Sequence, residues 1–332
     1  MSAFDLELLL APLPGDATCG NDLGHDPVFG ELEVAGAGKP DQEFGAIKIA
    51  AVPPDWEQVR GHALALAQRT RDVRLAVWLT RSGARLAGLS GALQGLRLVD
   101  GLLQRHWPAV HPVIERVDDT QDAWARVNAL APLAAADAGL ADLRAAKLTG
   151  DRLSLTVRDV ELAFGRSKPF GGEVALQPEA VLAFLADAVP RFPELLDEMQ
   201  ACHALVTDIA LRVEQELGVS CGLDLVPLHR VAKPLHEAAT RARGSAPEPV
   251  AGAEAGDGAK PVARGDLSNR QDVMRTLELA CDWIERNEPG HPSPLLIRRA
   301  QRLLTKNFVE ILRDLAPDSL GSFGRVAGEQ FD

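Results

Sequence analysis

The residues that could do chemistry sit at spacings that argue against it. His106 and His111 lie five apart across Trp107-Pro108, whereas a zinc-binding helix needs its histidines at i and i+4 on one face. No Cys or carboxylate joins them at ligand spacing, so both are expected to cap a helix end and pack under a loop. Ala35-Gly36-Ala37-Gly38-Lys39-Pro40 approaches a phosphate loop. Glu33 stands where a glycine is needed, however, and Pro40 where a magnesium-binding hydroxyl should be. A flexible turn is the simpler expectation. Gly88-Leu89-Ser90-Gly91 lacks the order of a nucleophile elbow, and Ser90 is expected to be a small helix-contact residue. Cys202 and His203 are adjacent on a predicted helix and therefore point to different faces. That separates a thiol from its base, and Cys202 is expected to be a buried small hydrophobe. Asp118, Asp119 and Asp122 could hold a cation but read as a solvated acidic loop. The five tryptophans fall at apolar helical positions or helix ends and are expected to anchor the core. No catalytic, metal or cofactor site emerges.

Composition narrows the function further. The 47 acidic against 35 basic residues give a net charge of −12, the wrong balance for neutralising nucleic-acid phosphates or docking on anionic lipid. The N-terminal Met1–Glu7 has no basic region ahead of an apolar run, so it does not read as a signal peptide. No stretch approaches the roughly 20 apolar residues of a membrane span. Cys19, Cys202, Cys221 and Cys281 are far apart, with no C-x-x-C pair. Reduced thiols in a cytoplasm are expected.

The elements that carry these residues read as helices, and the 332 residues suggest two or three domains. Asp55 and Gln58 after Pro53-Pro54 form a capping-box-like start, followed by Trp56, Val59, Ala63 and Leu66 on one face. Asp72 opens a second helix with Leu75, Trp78, Leu79 and Leu86 facing inward, and a third runs from about Leu89 to His106. Gly88, Gly91 and Gly95 on its first turns cost roughly 1 kcal/mol each against Ala, which close approach of a neighbouring helix would offset. Trp107-Pro108 and His111-Pro112 end that segment. Trp124, Val127, Leu130 and Leu133 suggest a fourth helix limited by Pro132. Residues 156–164 form a short helix closed by Gly165, and 178–217 one or two longer helices interrupted at Pro190 and Pro193. A last body helix spans Leu225 to Arg243. Phe44 to Val52 is a loop or a short extended piece. The fold class is all-α.

Residues 244–265 contain 14 Gly, Ala or Pro among 22 and no aromatic, the composition of a flexible linker. Beyond it, Val273, Leu277, Ala280, Cys281 and Ile284 share one helical face. A Pro-rich turn follows, and Leu295 then begins a helix with Arg298, Arg299 and Arg302 on its polar side. Phe308, Ile311, Leu312 and Leu315 continue the period to Ala316-Pro317. A helical module this small is marginal alone and suited to self-association.

Ordered motifs carry a resemblance. Pro12-Leu13-Pro14-Gly15, Cys19-Gly20-Asn21-Asp22-Leu23 and Asp26-Pro27-Val28-Phe29 are followed by Asp55-Trp56-Glu57-Gln58-Val59 and Arg71-Asp72-Val73-Arg74-Leu75-Ala76-Val77-Trp78-Leu79. Gly88-Leu89-Ser90-Gly91, Gly95-Leu96-Arg97-Leu98-Val99, His106-Trp107-Pro108 and His111-Pro112 complete the run. The order resembles the N-terminal domain of the TssA (ImpA) proteins of bacterial type VI secretion systems. Asn287-Glu288-Pro289 through Arg298-Arg299-Ala300 to Leu312-Arg313-Asp314-Leu315 resembles the C-terminal part of the family's shorter members. Thr70-Arg71-Asp72-Val73 departs conservatively from the family's Ser-Lys-Asp-Leu, and the short tail after Pro317 speaks against the long subgroup with its extra ring-forming domain.

The resemblance implies four parts: an N-terminal helical domain at 1–135, a middle helical domain at 136–243, the linker at 244–265 and an oligomerisation module at 266–332. It implies a cytoplasmic scaffold without catalysis or cofactor. Such a scaffold forms a ring-like homo-oligomer and contacts baseplate, sheath and tube proteins during assembly of the contractile apparatus. Leu295, Leu296, Phe308, Ile311 and Leu312 are the candidate self-association face, or equally the module's own core. Arg298 and Arg299 offer polar contacts to Glu310 or Asp314 of a neighbour. Asp72, Trp78, Gly88, Gly91 and Trp107 are candidate partner-contact or packing residues. Two other classes stay open. An all-α adaptor of another complex would share this composition, although no fixed-period repeat is visible. An uncharacterised hydrolase would need a pocket with converging carboxylates or histidines.

Overall fold

A computed structural model describes residues 4–39, 42–44, 47–117, 120–165, 167–218, 222–244 and 292–304, with 274, 277, 278, 281, 284, 306 and 310. Met1–Pro249 forms one compact unit and Val250–Asp332 a second. The first unit is helical: α1 (Leu6–Leu10), α2 (Pro27–Ala37), α3 (Trp56–Ala67), α4 (Val73–His106), α5 (Trp124–Leu130), α6 (Gly139–Ala145), α7 (Val157–Phe164), α8 (Pro178–Ala188), α9 (Leu195–Leu217) and α10 (Val226–Gly244). Two antiparallel hairpins interrupt it. β1 (Gln42–Phe44) pairs with β2 (Ile47–Ile49), and β3 (Glu115–Val117) with β4 (Thr120–Asp122). In the second unit α11 spans Ser293–Leu304.

Local signals start these helices. The side chains of Asp5, Asp26, Asp55, Asp72 and Thr156 each accept from an amide in the first turn, satisfying donors that the helix leaves open. Thr156 and Asp159 complete a full capping box.

The centre of the unit is α4, whose 34 residues form a hairpin of two arms, 73–87 and 89–106. Gly88 takes φ 68°, a left-handed conformation that glycine adopts without penalty. The amide of Leu89 there donates to Lys147 O at 2.8 Å. A straight helix would hold residues 80 and 95 about 22 Å apart. Here a Cβ at Gly95 would overlap the Thr80 backbone, and one at Gly91 would overlap Gly83. The glycines that weaken the helix are therefore what lets the arms touch. Both arms are lined by buried leucines, and the core continues without a break from Leu9 in α1 to Ala239 in α10. Further contacts place α9 against α4 and α10, and α10 against α7.

Four expectations need correction. Ala35–Ala37 is the last turn of α2, not a flexible turn, and Gly36 lies against the Trp78 ring. Ser90 is exposed rather than packed between helices, and Leu86, expected to face inward, is only half-buried. Trp56, Trp78 and Trp107 are half-buried, but Trp124 is 67% exposed at the start of α5. Asp122 lies in β4 and accepts the Trp124 amide, while Asp118, Asp119, Cys221 and Trp283 fall outside the described residues.

Candidate functional site

The family-like motifs converge on one framework. Three extended segments meet beside the first arm of α4. Thr70 bridges Gly20, the Arg71 amide donates to Cys19 O at 2.8 Å, and Asp72 bridges His111. Two buried arginines lock this junction from either side. Arg71 donates to Ala11 O, Ala67 O and Leu8 O at 2.8, 2.6 and 3.0 Å. Arg126 is wholly buried and donates to Pro112 O, Trp107 O and Val110 O at 2.8, 3.3 and 2.5 Å. Their hydrogen bonds end on main-chain carbonyls rather than carboxylates. Burial pushes Arg126 down to about 10, and Arg71 in the same direction. Trp107 lies with its ring 5.1 Å from the Arg126 guanidinium.

The histidines serve the same framework. His106 Nε2 meets Leu10 O at 2.8 Å and His111 Nε2 meets Gly20 O at 3.0 Å. Each spends a ring nitrogen on a main-chain carbonyl. Burial pushes the Cys202 thiol up to about 12, which removes it as a nucleophile near neutral pH. His203 faces away from it, toward His229 and His236, with ring centroids 4.5 and 5.2 Å away. Burial and those neighbours lower its pKa. Among the described residues no three His, Cys, Asp or Glu side chains are grouped to hold a metal ion.

Beside the framework opens a cleft of about 460 Å³. One wall carries Phe29 and Glu33 from α2. The floor carries Arg74, Val77, Trp78 and Arg81 from the first arm of α4, and Ala125, Asn128 and Ala129 from α5 face them. Each cleft arginine lies over an aromatic ring and holds a carboxylate. Arg74 is 4.8 Å from the Phe29 ring, Arg81 4.6 Å from that of Trp78, the geometry of cation–π attraction. Arg74 bonds Asp72 and Asp22, and Arg81 bonds Asp142 at 2.7 Å. Burial raises the Asp72 carboxyl, but the Arg74 fork and amide place four donor contacts on its oxygens and hold it as a carboxylate. Glu33 is exposed, and its carboxylate has no partner among the described residues.

A second polar knot stands on α7. Glu161 is buried and bonds Arg144, Arg158 and Ser167, each at 2.8 Å. Burial alone would raise its pKa; these donors more than reverse that and hold it below the usual carboxylate range. Arg158 reaches on to Glu173 at 2.8 Å and to Lys168 O.

The structure thus gathers only some of the expected residues. Asp72 caps α4 within the framework, Trp78 floors the cleft, and Trp107 stacks on Arg126. Gly88 and Gly91 belong to the elbow of α4 and not to the cleft. In α11 Leu295 and Leu296 are 72% and 67% exposed, and Arg298 and Arg299 are exposed beside them. Phe308, Ile311 and Leu312 lie outside the described residues. Sequence reasoning missed Arg71, Arg126 and Glu161. Arg126 stands at the i−4 and i−7 positions of Leu130 and Leu133 and Glu161 beside Val160 and Leu162, but no local pattern marked Arg71, which precedes α4.

Comparison with known proteins decides the family. Residues 10–135 match the family described as ImpA, N-terminal, type VI secretion system. The chain is 34% identical to the type VI secretion system component TssA1 of Pseudomonas aeruginosa, over 98% of its own length and 99% of that protein. The chain belongs to the TssA family. As a TssA protein it is a structural and assembly component of the type VI secretion system. Its fold is similar to the N-terminal domain, with the ImpA_N region, of TssA from Burkholderia cenocepacia. That match has a TM-score of 0.50 and 26% identity, and covers 73% of this chain and 95% of that one. None of the described TssA helices is long and apolar enough to cross a membrane.

Proposed function

We propose that this TssA protein is a multimeric, non-catalytic scaffold of the cytoplasm. In this reading residues 1–135 and 136–243 form an arm, 244–265 a tether and 266–332 the assembly module. The module self-associates into a ring-like oligomer, and the arms contact baseplate, sheath and tube proteins. The observation that carries the reading is the outer face of α11. Cys281 and Gln301 make the inward hydrogen bonds, to Pro294 O and Met274 O. Leu295 and Leu296, side by side, stand in water. Covering one leucine is worth roughly 1.5–3 kcal/mol, so a pair on a small module favours association. Leu295 and Leu296 are the proposed centre of the self-association face, with Phe308, Ile311 and Leu312 continuing it and Arg298 and Arg299 at its edge. The absence of a catalytic role is supported by what the reactive side chains do: His106 and His111 hold carbonyls, and Cys202 is buried and protonated.

A ring of tethered arms raises the effective concentration of weak contacts to a repeating sheath or baseplate surface. Binding of the full-length protein to purified sheath and baseplate components, beside a Leu295→Asp, Leu296→Asp variant with unchanged circular dichroism, tests this. The expected result is at least about tenfold weaker apparent binding by the variant. A monomeric variant that binds as tightly as the parent would remove avidity from the mechanism.

A further inference from the structure

The loop between α7 and α8 is built to hold an aromatic ring in water. Phe170 is 85% exposed and Val174 81%, yet the backbone beneath them is pinned. The Phe170 amide donates to Glu173 Oε2 at 2.9 Å, and the Glu173 amide donates to Phe170 O at 3.2 Å. Arg158 grips both Glu173 oxygens and Lys168 O, anchored in turn on buried Glu161. Gly171 and Gly172, at φ 61° and 90°, make the turn that only glycine adopts freely. The result is a rigid prong, Lys168-Pro169-Phe170, with an exposed ring at its tip and a Lys168 ammonium that has no partner among the described residues. An aromatic held in place before binding loses little entropy when it is buried, which is the character of an interface anchor.

The aromatic cleft on the same unit has the complementary chemistry. It is lined by the Phe29 and Trp78 rings with the Arg74 and Arg81 guanidiniums lying over them, by apolar walls from Val77, Ala125 and Ala129, and at its edge by the Glu33 carboxylate, which has no partner among the described residues and can meet a cation. Its volume of about 460 Å³ exceeds the roughly 150 Å³ that holds a benzene ring, leaving room for the neighbouring proline. Phe170 is exposed, so the prong does not fill its own cleft.

We propose that the Lys168-Pro169-Phe170 prong of one copy docks in the Phe29–Trp78 cleft of a second copy, with Lys168 paired to Glu33. The contact is heterologous, so copies join head to tail and close into a ring or extend as a filament according to the rotation between them. It lies in the larger unit and is independent of the α11 face proposed above.

The test places a photoreactive p-benzoylphenylalanine at position 170 of the full-length protein and mixes light and 15N-labelled copies before irradiation. The expected product is a heavy–light crosslink to peptides containing Phe29–Glu33, Trp78–Arg81 or Ala125–Ala129. Lys168→Glu or Glu33→Lys alone should lower its yield about threefold or more, and the two together should restore it. Both positions are exposed, so neither change threatens the fold. Crosslinks to other surfaces or within one copy, or only on adding a purified sheath or baseplate protein, would overturn the assignment, as would a yield insensitive to both reversals. The readout is a peptide pair and not a mass, so failure of the α11 assembly is told apart from failure of this contact.

Discussion

The TssA chain buries arginine-centred charge in two ways. Around the framework, Arg71 and Arg126 bond to main-chain carbonyls, most of them far off in sequence, and their hydrogen bonds do not end on a carboxylate. Around α7, Arg144 and Arg158 converge on one buried glutamate, and the bonds run between side chains. The first arrangement fastens backbone to backbone, and its nearest acid, Asp72, acts on Arg126 only through space. The second holds a loop through groups that do titrate. The difference separates a part built to stay fixed from a part built to present a surface.

The largest expected effect comes from breaking the first. Arg126→Met leaves two buried carbonyls, Pro112 O and Val110 O, and the partly buried Trp107 O without this donor, and each unmet buried group costs about 1–3 kcal/mol. A loss of about 3 kcal/mol or more in urea unfolding is expected; an unchanged midpoint would show that the framework does not depend on this side chain. Glu161→Gln should cost less. Arg144 and Arg158 are partly exposed and regain water, so about 2 kcal/mol is expected.

Acid sharpens the contrast. The pKa of Glu161 is lowered in the native state, so its contribution is fully present above about pH 4.5, the ordinary glutamate value, and is lost as pH falls through the lowered native value. The cost of Glu161→Gln should therefore shrink from pH 7 to pH 3, while the cost of Arg126→Met, whose bonds end on carbonyls and which feels Asp72 only through space, should change much less. Equal pH dependence would erase the distinction. The smallest effect belongs to Glu173, which Arg158 and the Phe170 amide hold down to about 2. Glu173→Gln should leave the unfolding midpoint in place yet speed proteolytic cleavage at 168–174, because only the prong is released.

The helical framework was largely legible in the sequence, since it follows from local rules. Asp55, Asp72 and Thr156 announced their helices, and the glycines at 88, 91 and 95 announced a close approach that proved to be the hairpin of α4. The starts of α1 and α2 carried Asp5 and Asp26-Pro27, readable signals that the expectations above passed over. The cleft and the knot were not legible, because both are assembled by long-range packing. Nothing local tells that Arg126 is buried while Trp124 two residues earlier is exposed, or that Arg158 reaches Glu173 across a loop. Helical period assigns faces, but tertiary packing decides which face is covered.

The most direct test of the scaffold account is light scattering on the size-separated full-length protein, beside the Leu295→Asp, Leu296→Asp variant. The account predicts a closed oligomer of many copies at micromolar concentration, and a fall to small species in the variant with helicity retained. A parent protein that is strictly monomeric would contradict it.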